Sequence, residues 1–459
     1  MSVSRASLVG ILSCALAGFA GSTASAMPSG LRSQGDSEFG RSRFSASSKT
    51  SAPSRNACGV ADAAEPAIPF PGSPDPDAFY AQPKPFPNVA RGTILAARAA
   101  TYSPDGLTMP NTAYQIKFVS CDIHEQPIAA VATVVKPLVP VAGVGGEPLF
   151  VENFAEDALG AQCAPSHSVT GSIADDNADL ENGVSFSALA AGWTVLFPDY
   201  QGPSSEFGAG HLEGQIVLDS IRAAENLKAL GLSPHTMVGI NGYSGGAIAT
   251  SWAATLQRSY APDLNIVSVS SGGTPADTLS ILDNIDTNTV SNAAFFDLIF
   301  MAAMGDNRAY PFLATPILNS AGVAAAKAME NGCLGDDSNG STGPSGTFYN
   351  YTTASNLDTA PGVVEAAKLL KLAQPGEPPI TNVFVYHSVT DELIPIAGAD
   401  NMVAAWCAAG AKVEYYRSYT GGDHITTEAD NFQNVIAYHA SVFNGLPMIV
   451  PPTTTRCNT

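Results

Sequence analysis

The sequence predicts an α/β protein: a mostly parallel sheet with helices on both faces, interrupted by an inserted, mainly helical cap. Three observations predict it. Short β-type runs alternate with helical, Ala-rich patterns over much of the chain, and such alternation builds a parallel sheet covered on both sides. The rhythm stops after Asp277 and returns at Asn382, with Met- and Ala-rich helical pieces between. One strand-like run, Met237 to Ile240, leads through Gly242-Tyr-Ser244-Gly245-Gly246 into a helical pattern that reaches about Tyr260.

That last junction organises the rest. Strand, Gly-x-Ser-x-Gly and helix in this order make the nucleophile elbow of an α/β-hydrolase. The five-residue motif alone is weak, since a chain this long meets it by chance about 0.2 times. Its flanks carry the weight. Ser244 is expected on a tight turn with strained dihedrals, with glycines on either side because a Cβ there would strike the adjacent strand or helix. Gly245 N–H then lies at the start of a helix, where backbone donors face a developing anion.

Composition bounds the function. A length of 459 residues allows one large domain with an insertion, or two domains, and 14% charged against 45% hydrophobic residues fits a packed globular chain. The net charge of −20 argues against nucleic acid and against attraction to anionic membranes, while leaving an uncharged oil surface open. Residues 1–26 read as a secretory signal peptide: Arg5, the apolar core Leu8 to Phe19, and Ala24-Ser-Ala26 for cleavage. That core is too short to span a bilayer, and no other integral membrane segment is evident. A lipobox-like Ile11-Leu-Ser-Cys14 raises a lipid-anchored form as a minor alternative to a secreted one. Removing the signal leaves Cys58, Cys121, Cys163, Cys333, Cys407 and Cys457, an even count that in an exported chain suggests three disulfides; fifteen pairings are open, and no C-x-x-C spacing suggests zinc.

The Ser/Arg-rich segment 27–65 reads as disordered, and the Pro-rich stretch from Pro66 to Pro87 carries Phe79-Tyr80, which could pin it to the domain. Two strands, Ala113 to Cys121 and Ile128 to Val135, read as an opening antiparallel hairpin. Strands follow at Leu149 to Asn153 and Trp193 to Phe197, then a helix over Gln215 to Leu230 with Val217, Ile221, Ala224 and Leu227 on one face. After the elbow come strands at Asn265 to Ser270, Asn382 to His387 and Lys412 to Arg417, with a helix from Ala397 to Ala409. The hydrolase core is therefore assigned to 66–278 and 373–459, and the cap to 279–372. Asn339-Gly-Ser and Asn350-Tyr-Thr within it are glycosylation sequons.

A serine nucleophile needs a base, and the base an orienting acid, in the chain order Ser, Asp or Glu, His. Asp391 lies in a loop beyond the strand ending at His387, and His424 in a Gly-rich loop after what reads as the final strand. Ser244, Asp391 and His424 thus form the expected triad. His387 is the rival base and precedes the acid. Glu392 and Asp423 are rival acids, but Asp423 adjoins His424 and its side chain would point away from the ring; Asp199 reads as structural. His124 and His211 read as surface residues.

These residues sit among others that together resemble the secretory lipases, of which fungal lipase A is typical. The markers are Glu156-Asp157 with Cys163-Ala-Pro-Ser166, Pro198-Asp199-Tyr200, Leu218-Asp219-Ser-Ile-Arg222, Gly272-Gly-Thr-Pro275 and Val385-Tyr-His-Ser-Val-Thr-Asp391-Glu-Leu-Ile-Pro395. The likeness runs from about Pro74 to the C-terminus, and is weakest over Asp306 to Lys327 and before Cys58. It implies hydrolysis of triacylglycerols or other carboxylic esters and an oxyanion hole made of Asp157 and Gly245 N–H. Asp157 must then be protonated to donate, which burial in an apolar pocket favours, so activity is expected to fall as pH rises through that raised pKa and to tolerate acid. The resemblance also implies disulfides Cys163–Cys333 and Cys407–Cys457, and Cys58 is then assigned to Cys121. No metal or organic cofactor is implied. The expected partner is a small-molecule or lipid ester, including one at an oil–water interface. An esterase or acyltransferase for soluble or aromatic esters is the alternative, and a non-catalytic hydrolase-fold binding protein a more distant one.

Overall fold

The computed structural model describes residue 58 and residues 67–171, 178–286, 295–334, 344–372 and 378–459. The expected signal segment, nearly all of 27–65 and the Asn339 sequon lie outside these residues. Ten strands form one sheet among them: β1 (Ile94–Thr101), β2 (Thr112–Cys121), β3 (Pro127–Val135), β4 (Leu149–Asn153), β5 (Thr194–Pro198), β6 (Val238–Tyr243), β7 (Ile266–Gly272), β8 (Asn382–Ser388), β9 (Val413–Ser418) and β10 (Thr455–Cys457). Their spatial order is β1-β2-β3-β5-β4-β6-β7-β8-β9-β10. From β5 through β9 every neighbouring pair is parallel; β1, β2 and β3 join antiparallel at one edge and β10 antiparallel at the other.

The parallel strands are apolar because both faces are covered. Along β4, Leu149 and Val151 enter the core on one face, with Ile216, Ile221 and Trp252, while Phe150 enters a second core on the other, with Trp193, Tyr438 and Phe443. This is the period of two expected of a strand. Helices α1 (Ala178–Ala190), α2 (Gly210–Asn226) and α3 (Ser244–Tyr260) precede the break in rhythm. Between β7 and β8 come α4 (Thr278–Asp286), α5 (Phe296–Ala309), α6 (Ser320–Met329) and α7 (Pro361–Leu370), and after β8 come α8 (Ile396–Ala408) and α9 (His424–Phe443). The pair α2 and α3 packs together on the first face, and α1 and α9 pack together on the second. The segment between β7 and β8 contributes Phe296, Phe300 and Phe348, whose rings lie against one another.

Several boundaries differ from the sequence expectation. The strand ending at Ser418 is not the last, because β10 follows and pairs with it. His424 is not in a free loop: it is the first residue of α9, whose N-cap is Asp423, with its carboxylate accepting from Thr426 N–H at 2.8 Å. The helix expected over Gln215 to Leu230 starts at Gly210 and stops at Asn226, where Leu227 turns extended. It is buried nearly all round, Glu213, Gln215 and Asp219 included.

Disulfides join Cys58 to Cys121, Cys163 to Cys333 and Cys407 to Cys457. The second ties the loop after β4 to the segment between β7 and β8, and the third fastens β10 to α8. The Pro-rich stretch is pinned through Phe79, under the Arg98 guanidinium at 4.2 Å, and through Tyr80, whose hydroxyl lies 2.8 Å from Ser166 Oγ.

Candidate active site

Three strand ends converge at the carboxyl edge of the parallel sheet. Ser244 follows β6 directly, with φ +50°, the left-handed strain expected of the elbow. The flanking glycines are sterically required: a Cβ on Gly242 would stand 2.3 Å from Gly246 O, and one on Gly246 1.9 Å from Asn153 O. Ser244 can therefore turn sharply from β6 into α3 while the elbow presses against β4.

The hydroxyl of Ser244 lies 2.8 Å from His424 Nε2, and Nδ1 of the same ring lies 2.7 Å from Asp391 Oδ2. A carboxylate can only accept, so Nδ1 carries the proton and donates to Asp391, leaving Nε2 to accept from Ser244. Asp391 Oδ1 is held by the N–H groups of Leu393 and Ile394, at 3.1 and 2.7 Å. Burial would raise the Asp391 carboxyl, but His424 and His387 overcome it and hold it well below the usual carboxylate range. Burial likewise disfavours the charged form of His424, yet the facing Asp391 wins and raises the imidazole above its ordinary value.

The rivals take other positions. His387 donates from Nε2 to Ile394 O at 2.9 Å and stands 3.3 Å from Asp391 Oδ2, so it braces the acid rather than facing the serine. Glu392 accepts from His424 N–H at 2.9 Å and fixes the start of α9. Asp423 caps that helix. Asp199 accepts from Ser166 N–H and Oγ–H, and burial pushes its carboxyl up to about 7 against those bonds. His124 is exposed, as expected, whereas His211 is half-buried with its ring edge-on to Trp252.

Asp157 stands in the loop after β4 with φ +42° and is buried. A Cβ on Gly245 would fall 1.7 Å from Asp157 Oδ1, so this carboxyl fills the space a side chain at 245 would occupy. Asp157, Ser244 and Gly245 open onto one cavity, walled mainly by apolar residues such as Ile248, Leu282, Leu298 and Phe300.

The family model described as secretory lipase matches residues 177–450. A secreted triacylglycerol lipase of Malassezia furfur is 34% identical over 345 residues, covering 72% of this chain and 68% of that protein. The chain belongs to the secretory lipase family. A second relative in Malassezia restricta, also a secreted triacylglycerol lipase, is 33% identical over 402 residues, covering 83% of this chain and 81% of its own. The crystal structure of Candida antarctica lipase A in its closed state superposes with a TM-score of 0.73 at 27% identity, over 86% of this chain and 90% of that one.

This secretory lipase also carries site residues that sequence reasoning passed over. Glu428, one turn after His424 on α9, is buried; burial pushes its carboxyl up to about 8 although His424 opposes the rise. The i, i+4 spacing from His424 was the available signal. Tyr243 donates its hydroxyl to His424 O at 2.7 Å and so sets the height of the imidazole. Glu213 on α2 is fully buried, its Oε1 accepting from Gly208 N–H at 2.9 Å, and no local pattern announced it. No helix among the described residues is long and apolar enough to cross a membrane.

Proposed function

We propose that this lipase is a secreted serine ester hydrolase acting on triacylglycerols or other lipid esters through Ser244, Asp391 and His424. The observation that carries the reading is the unbroken relay from Asp391 through His424 to Ser244, facing an apolar cavity. His424 Nε2 takes the proton as Ser244 Oγ attacks the ester carbonyl, and Asp391 stabilises the imidazolium that forms. The carbonyl oxygen, now an oxyanion, accepts from Gly245 N–H and from Asp157, which must be protonated to donate. His424 passes its proton to the departing alcohol, leaving an acyl-enzyme. Water, deprotonated by the same imidazole, then releases the acid.

The acyl chain would lie in the apolar cavity, where each buried CH2 contributes about 0.8 kcal/mol. Residues 279–372 are proposed as the cap over that cavity, on a core of 66–278 and 373–459, since α5 supplies Leu298 and Phe300 to its wall. The test is a chain-length profile: emulsified long-chain triacylglycerol against short nitrophenyl esters, with Ser244→Ala as blank. Hydrolysis of the emulsion at rates at least comparable to the short esters supports the reading. Turnover of the short esters alone would replace it with a soluble-ester hydrolase.

A further inference from the structure

The wall of the cavity beside Ser244 is mostly apolar; away from Asp157 and Ser244 its polar side chains are Thr278, Thr352 and Asp306, and only the last is a carboxyl. Asp306 on α5 is buried, 3% exposed, and lines the cavity, yet its Oδ1 has no hydrogen-bond partner. Its chain neighbours are fully engaged. Asn307 Oδ1 accepts from the N–H groups of Ala314 and Thr315, both at 2.9 Å. Arg308 donates to the carbonyl oxygens of Phe70, Leu159, Ser204 and Glu330 at 2.6 to 3.0 Å. On the other side, a Cβ on Gly305 would stand 2.4 Å from Phe207 O, so α5 rests directly on the core loop there. Asp306 is thus fixed in place by residues that leave its own carboxyl unsatisfied. Gly208, also in the cavity wall, has no side chain to intervene; a Cβ there would be 2.8 Å from Asp306 Oδ1.

From this we infer that Asp306 forms a polar subsite within the acyl cavity and selects acyl chains that carry a hydroxyl group along their length. Burial raises the Asp306 carboxyl well above its ordinary value and so favours its neutral form. A neutral carboxyl offers both an O–H and a carbonyl oxygen, which a single alcohol can satisfy together. An unsubstituted chain leaves the carboxyl as it is. A hydroxylated chain entering a wholly apolar wall would instead bury its own hydroxyl without a partner, and sites built to pair such a group discriminate strongly.

The inference rests on the acyl chain occupying this cavity, and the test separates the two claims. Rates are measured for nitrophenyl stearate and for a series of hydroxystearates with the hydroxyl moved along the chain, using wild type, Asp306→Asn and Asp306→Leu. For at least one hydroxyl position, wild type should hydrolyse the hydroxylated ester at least as well as the plain one. Asp306→Leu should lower kcat/KM for that ester by about tenfold to a hundredfold while leaving plain stearate at or above wild type. Asp306→Asn, similar in shape and still able to donate and accept, should keep most of the hydroxyl preference and guards against misfolding of the Leu variant. Plain stearate turned over by all three proteins, with no hydroxyl position sensitive to residue 306, would overturn the subsite alone. Failure of wild type to turn over plain stearate would overturn the lipase reading beneath it.

Discussion

Gly245 offers a direct test of the oxyanion assignment, because its missing side chain is where Asp157 sits. In Gly245→Ala the new Cβ would start 1.7 Å from Asp157 Oδ1, against an ordinary contact of 3.4 Å or more. The carboxyl must withdraw by roughly 1.7 Å, which takes a donor at about 2.9 Å from the oxyanion beyond any useful hydrogen bond. Losing one oxyanion donor costs about 10² to 10³ in kcat, or about 3–4 kcal/mol of transition-state stabilisation. The fold should not suffer in proportion, because alanine is better than glycine in the first turn of α3 by up to about 1 kcal/mol. The assay is kcat/KM on a nitrophenyl ester alongside the thermal midpoint. Asp157→Asn serves as companion: its amide donates without a proton to lose, so it should keep more activity than Gly245→Ala and lose less of it at alkaline pH. A Gly245→Ala enzyme within threefold of wild type would refute the claim that Asp157 assists the reaction from this position.

Other outcomes follow from the charges. His424 is raised above its ordinary imidazole value and must be neutral to take the serine proton, so kcat/KM should fall as pH drops, with an acid limb above pH 6.5 that overrides the acid tolerance expected from Asp157 alone; a limb well below that value would count against Asp391 as its partner. Stability should run the opposite way. Burial raises Asp199 to about 7 and Glu428 to about 8, with Glu152 and Glu213 also raised, so the folded chain holds protons that the unfolded chain releases near pH 4. That stabilisation is complete below pH 4 and is lost as pH rises toward 8, at about 1.4 kcal/mol per pH unit for each such group. Asp391, held low, contributes only above its unfolded value and loses its share below pH 4. Denaturant midpoints should therefore peak near pH 4 to 5, below the pH of best activity, and a peak at pH 8 would contradict the burial of these carboxyls. Finally, Cys407→Ser with Cys457→Ser opens a loop of 50 residues, which on the chain-entropy model costs about 4 kcal/mol; an unchanged midpoint would refute that estimate.

Much of the frame was legible in the sequence because it depends on local chemistry. β4 is found at its observed limits because the apolar run Leu149-Phe-Val151 starts directly after Pro148, and the elbow is fixed by steric demands that only glycine meets. β1 was passed over because Ile-Leu-Ala-Ala-Arg-Ala-Ala-Thr has no strong strand preference and becomes a strand only by pairing with β2. β10, three residues long, is held by its pairing with β9 and the bridge to Cys407, both distant in sequence. The helical setting of His424 could have been read from Asp423, a good N-cap. Asp157 beside Gly245, and Glu213 and Asp306 in the interior, follow no local pattern, because loops and helices distant in the chain create their surroundings.

The relay itself is tested most directly by intact mass and peptide mapping after brief exposure to a fluorophosphonate at neutral pH. A single adduct on Ser244 is expected, formed rapidly in wild type and slowed by at least a thousandfold in His424→Ala. No adduct, or one on another serine with Ser244 unmodified, would contradict the account.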